Sequence, residues 1–157
     1  MDWDEREDGS AFFTFLVCLL NLAALLAAYF YPKSLPLLTI GGLALTFLSW
    51  FFFCRDRREY GSPARIPAAI QIFAAVACLH AFIGFFANTS ITGWGKFGEI
   101  DGIYYRWQQG QQLEITWEEY DRLQRANNRV FSGHALAFSS LAFAHFAGVW
   151  LEEKEKG

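Results

Sequence analysis

Three histidines, His80, His134 and His145, are the side chains best placed to do chemistry in this 157-residue chain, and each lies in an apolar stretch. An imidazole titrates near neutral pH, ligates metals and haem iron, and both donates and accepts hydrogen bonds. His80 falls about two thirds of the way along a third apolar run, and His134 lies near the start of a fourth. If the two runs are antiparallel helices, these residues differ in depth by only about 5 Å at 1.5 Å per residue. His145 is three turns from His134 on nearly the same face. Two readings stay open. In the first, His80 and His134 hold a b-type haem or a metal, or pass a proton, with Ala77, Ala81 and Gly84 leaving room for a ring beside His80. In the second, each imidazole bonds to a carbonyl or a serine of a neighbouring helix.

Other chemistry is weakly signalled. Cys18, Cys54 and Cys78 lie in or beside apolar runs and form no CxxC pair, so neither a zinc site nor a redox dithiol is expected. They read as small buried apolar groups. There is no phosphate loop, no HExxH and no serine-centred elbow. None of the apolar runs carries an Asp, Glu, Lys or Arg in its interior, which argues against an ion-coupled transporter or voltage sensor. Nothing resembles a nucleic-acid site. No enzymatic role is expected.

The elements that must position these residues follow from segregated polarity. The chain is 54% hydrophobic and 18% aromatic, yet its mean hydropathy is only +0.17, because the polar residues are gathered into a few segments. A soluble all-α domain would need several helices apolar on every face and nothing left to cover them. The expected class is an all-α membrane protein, one domain of four transmembrane helices at about 11–31, 37–54, 67–87 and 131–151. Each run is long enough to cross a hydrocarbon core of roughly 30 Å. The acidic start (Asp2, Asp4, Glu5, Glu7, Asp8) is unlike a secretory signal, so the first span is expected to be retained. Pro32 to Pro36 predicts a tight turn.

Residues 88–130 form the expected extramembrane cap. Gly93, Gly95 and Gly98 predict an irregular beginning. Ile103 to Trp107 and Leu113 to Ile115 alternate around Gly110 and predict a small β-hairpin. Two strands are marginal alone, so Ile103, Tyr105, Trp107, Leu113 and Ile115 are expected to lean on the bundle end or on the next helix. Thr116-Trp117-Glu118-Glu119 is a capping box that starts that helix. Glu118 with Arg122, and Asp121 with Arg125, are placed for ion pairs one turn apart. Asn88-Thr89-Ser90 matches a glycosylation sequon. On the fourth span, Ser140, Ala144 and Gly148 form a small-residue stripe for close helix packing, as do Gly133 and Ala137. Arg55, Arg57, Arg58 and Arg65 place the short second loop on the cytoplasmic side, with both termini, and the cap on the other.

The stretch from Tyr104-Tyr105 through Gly110, Glu114-Ile115-Thr116-Trp117-Glu118-Glu119-Tyr120-Asp121-Arg122-Leu123 and Arg129-Val130-Phe131-Ser132-Gly133-His134 is similar to a pattern in small uncharacterised bacterial four-span inner-membrane proteins. There a comparable sequence also leads into the last span. The similarity covers about a fifth of the chain. It implies a bacterial inner membrane and the same hairpin–helix–span order, and it brings no activity and no catalytic residues. Ser132-Gly133-His134 is its most distinctive part.

The functional expectation is an accessory or interaction subunit that binds another membrane protein, or a second copy of itself, through the cap or the membrane face. Tyr105, Trp107, Trp117, Tyr120, Ser132, Gly133 and His134 are the expected contacts. A haem or metal protein using His80 and His134, and a homo-oligomeric channel, are the alternatives.

Overall fold

The structure, a computed structural model, describes residues 3–30, 36–63, 65–93 and 95–155. In chain order these form α1 (Trp3–Phe30), α2 (Pro36–Tyr60), α3 (Ala68–Thr92), β1 (Lys96–Ile100), β2 (Ile103–Gln108), β3 (Gln111–Ile115) and α4 (Trp117–Lys154). All four helices are long and apolar enough to cross a membrane. The expected turn from Pro32 to Pro36 lies outside the described residues, except that Pro36 opens α2.

The helices overrun the expected spans because helical backbone does not stop where apolar sequence stops. Arg55 to Tyr60 continue α2, and Asn88 to Thr92 continue α3. The sequon therefore sits on a helix. Asn88 is buried with its amide donating to the Gly84 carbonyl at 2.7 Å, out of reach of modification. Gly93 then ends α3 in the left-handed conformation, its amide on the Thr89 carbonyl.

The central element is α4, which packs against each of the other three helices. Thr116 caps it, its hydroxyl accepting from the Glu119 amide at 3.2 Å. The Glu119 carboxylate is turned to Arg106 at 3.7 Å. Of the two ion pairs expected along its first turns, Asp121–Arg125 forms at 2.8 Å. The α3 face of α4 is built of small residues. A side chain at Gly133 would meet His80 and Ala81, and one at Gly148 would meet Pro63 and the Arg65 carbonyl. Between them Ala137, Ser140 and Ala144 are buried, so the predicted stripes close contacts within the chain. α1 and α2 pack on each other and on the opposite side of α4, whereas α3 rests almost wholly on α4.

The cap corrects two expectations. It is a three-stranded antiparallel sheet, ordered β1-β2-β3, where a two-stranded hairpin was expected. The segment read as irregular supplies β1, paired to β2 from Lys96↔Trp107 to Ile100↔Ile103. Asp101-Gly102 and Gln109-Gly110 are the two-residue turns, each with both residues at positive φ. This geometry matches the twist of a hairpin and favours Gly at the second position. The second correction is the face. Tyr104, not Tyr105, lies on α4, its ring 4.7 Å from Tyr120 and 5.3 Å from Trp117. Phe97 joins them, 5.8 Å from Tyr120. Side chains alternate along a strand, so Ile103, Tyr105 and Trp107 face away from α4, with Tyr105 and Trp107 beside each other. Burial beneath the sheet, with Glu99 nearby, pushes the Tyr120 hydroxyl above the usual tyrosine range.

Candidate functional site

The three histidines sit in three different environments. His80, on α3, is turned toward α1. Its Nε2 lies 3.2 Å from the Tyr29 hydroxyl, and its Nδ1 is buried against Gly133 without a hydrogen-bond partner. An unpaired lone pair is less costly here than an unpaired N–H, so Nε2 carries the proton and donates to Tyr29. The Arg129 guanidinium covers the Tyr29 ring at 4.6 Å while its Nε donates to the Ala28 carbonyl at 3.1 Å. This cluster ties α1, α3 and α4 together at the cap end.

His134 is the next residue after Gly133, and on a helix that turns it to a different side. Its Nδ1 lies 2.7 Å from the Val130 carbonyl, and the Phe85 ring stands edge-on 5.8 Å away. A carbonyl oxygen only accepts, so Nδ1 carries the hydrogen. In the neutral ring Nε2 is then an acceptor, and it has no hydrogen-bond partner among the described residues. The two imidazoles proposed as a ligand pair are therefore not brought together. His80 meets Tyr29 on the α1 side of α3, and His134 meets Phe85 beside the cleft between α2 and α3. Among the described residues no group of three His, Cys, Asp or Glu side chains could hold a metal.

His145 is 4% exposed and donates from Nε2 to the Asp56 carboxylate at 2.8 Å, joining α4 to α2 at the end opposite the cap. The Phe53 ring stands edge-on to it at 5.1 Å. Asp56 was not expected as a partner, because the reading ended the second span at Cys54. Midway between the ends, the Asn21 amide nitrogen of α1, with two hydrogens to give, lies 2.8 Å from the Thr46 hydroxyl, 3.1 Å from the Ser139 hydroxyl and 3.4 Å from the Ala135 carbonyl. Gly42 leaves the space that the Asn21 amide occupies. Thr39 and Ser132 meet at 3.4 Å one turn or two nearer the cap. These groups are buried polar glue between helices. A spacing signal existed for them. Thr39 and Thr46, and Ser49 and Asp56, are pairs seven residues apart on α2, as are Thr14 and Asn21 on α1.

Because α3 rests mainly on α4, it leaves a cleft on each flank. The one toward α2 has a volume of about 460 Å³ and runs along Leu43 to Trp50 of α2 and Val130 to Phe138 of α4, with Phe85 of α3 as its far wall. His134 lies on its wall near the cap end, and Trp50 and Phe138 meet at 5.1 Å at the deep end. The other, toward α1, is about 260 Å³ and is lined by apolar residues and Cys18.

The expected contact residues divide. Ser132 and Gly133 are buried inside the bundle, and Tyr120 is covered by Phe97 and Tyr104. Tyr105, Trp107, Trp117 and His134 keep surface. Comparison of the chain with family models, with curated proteins and with solved structures finds no match. Function is read from the geometry.

Proposed function

We propose that the chain is a non-enzymatic integral membrane subunit that binds a partner protein through its cap. One observation supports this reading above the rest. At the Asp101-Gly102 end of the sheet Ile100 and Ile103 are 46% and 40% exposed on the face away from α4, and Trp117, at the start of α4, is 47% exposed. Trp117 starts α4 thirteen residues before Val130, where the charges stop, so this end of the cap stands roughly 20 Å further along the helix axis. Apolar groups held that far into water mark an interaction surface, and covering one such side chain is worth about 1.5–3 kcal/mol. The proposed setting is a bacterial inner membrane with both termini cytoplasmic, on the strength of Arg55, Arg57, Arg58 and Arg65.

The test is the mass of the particle extracted from native membranes in mild detergent, by size exclusion with light scattering. The wild type is expected to exceed a single chain. The Ile100→Lys/Ile103→Lys double variant is expected to fall to one chain with its melting temperature unchanged. A mass of twice the chain would identify the partner as a second copy. A wild type that already runs as one chain, or a variant that keeps the complex, would refute the reading.

A further inference from the structure

We infer that the cleft between α2 and α3 is a binding site for a lipid-soluble phenol, an aromatic ring bearing a hydroxyl on an apolar tail, and that His134 recognises the hydroxyl. The inference is independent of the cap.

Size comes first. The cleft runs along α2 from Leu43 to Trp50, about 10 Å at 1.5 Å per residue, and holds about 460 Å³. That is the volume of a small-molecule site.

Lining chemistry selects the ring. Phe47, Trp50, Phe85, Phe131 and Phe138 supply five aromatic walls. Edge-to-face and offset contacts with a bound ring add about 0.5–1.5 kcal/mol beyond area burial, which a saturated acyl chain cannot collect. The one imidazole selects the hydroxyl. The Thr46 hydroxyl on the same wall is already spent, donating to the Gly42 carbonyl at 2.7 Å and accepting from Asn21. His134 is different, because its Nδ1–H is committed to Val130 and its Nε2 lone pair is open. The ligand must therefore donate. A ketone or an ester, which only accepts, leaves that nitrogen unpaired. Position agrees, since His134 is one turn beyond Val130. A hydroxyl there sits just inside the apolar zone, with Trp50 and Phe138 one to two turns deeper along the tail.

The test uses the full chain in lipid nanodiscs and two probes, a dodecylphenol dibrominated in mid-tail and its methyl ether, compared at equal mole fraction in the bilayer. Bromine quenches the Trp50 fluorescence, which is isolated as the difference between wild type and Trp50→Phe. The phenol is expected to half-saturate at a concentration about threefold to tenfold below the ether, the worth of one hydrogen bond. His134→Phe should bring that ratio to about one. His134→Gln, whose amide oxygen still accepts, should keep part of the preference. Ala135→Trp, which fills the cleft, should abolish saturable quenching by both probes. Equal affinities for phenol and ether in the wild type, or a preference that survives His134→Phe, would overturn recognition by the imidazole. Quenching that never saturates in the wild type would overturn the site itself.

Discussion

Asn21 and Gly42 show how one missing side chain sets a buried network. The Asn21 amide occupies the volume a Cβ at residue 42 would need, and from there it reaches Thr46, Ser139 and Ala135. Gly42→Ala should therefore displace the amide and leave it buried and partly unpaired, at about 1–3 kcal/mol. The same change in an Asn21→Ala background should cost much less, because nothing is left to displace. A double-mutant cycle by thermal melting in detergent checks this, and additive costs would mean that the two residues act independently. Asp56 poses the matching case at the far end. Asp56→Ala strands the buried His145 N–H and should cost about 1–3 kcal/mol, whereas Asp56→Asn keeps an acceptor and should cost less. Equal losses for the two would place the role of Asp56 in its charge and not in the hydrogen bond.

At the scale of elements, the spans were readable and the cap was only half so. Long uncharged runs separated by charge clusters leave little choice but helices in lipid, and all four runs are helical. The sheet was harder for a physical reason. Alternation tells inside from outside when one face is apolar, but Tyr104 and Tyr105 are both aromatic, and the strand carries apolar groups on each side. Period two then fixes a strand without fixing its register to α4. β1 was missed because Gly95 and Gly98 dilute it, although the Asp101-Gly102 dipeptide is a strong hairpin signal. Of the site, His80 and His134 were readable as polar groups in apolar runs, but their partners were not. Tyr29 is chosen by helix rotation, which spacing within one helix does not encode, and the Val130 carbonyl, one turn back on the same helix, is chosen by the His134 rotamer. The register makes a prediction. Tyr104→Ala should loosen the sheet on α4 and raise amide exchange across 96–115 by tenfold or more, while Tyr105→Ala should change it by less than threefold. Equal effects would reject the face assignment.

For the whole molecule, α1, α2 and α4 are joined by buried hydrogen bonds, and α3 is held to α4 by close backbone approach. Bulk at Gly148 would strike Pro63 and the Arg65 carbonyl. Gly148→Leu should lower the melting temperature far more than Leu141→Ala, since the Leu141 side chain is exposed and trimming it empties no packed space. The surface ion pair Arg65–Glu155 at the same end, 3.5 Å apart and well exposed, contributes little by comparison. Equal melting of the two variants would remove the close contact as a source of stability.

The central position of α4 also sets a timetable. Of the four helices, the one that the other three pack on is the last to be synthesised. α1 and α2 can pair as soon as both are in the membrane, through their own shared surface. α3 has only Tyr29, Leu22 and Leu25 of α1 to meet, because most of its packing surface is on a helix the ribosome has not yet made. Until α4 arrives, the α4-facing side of α3 is open to lipid or to whatever helper stands beside the insertion site. A chain arrested before Thr116 should thus hold a paired α1 and α2 and a loosely held α3. The last forty or so residues then complete the cap and the bundle in a single step.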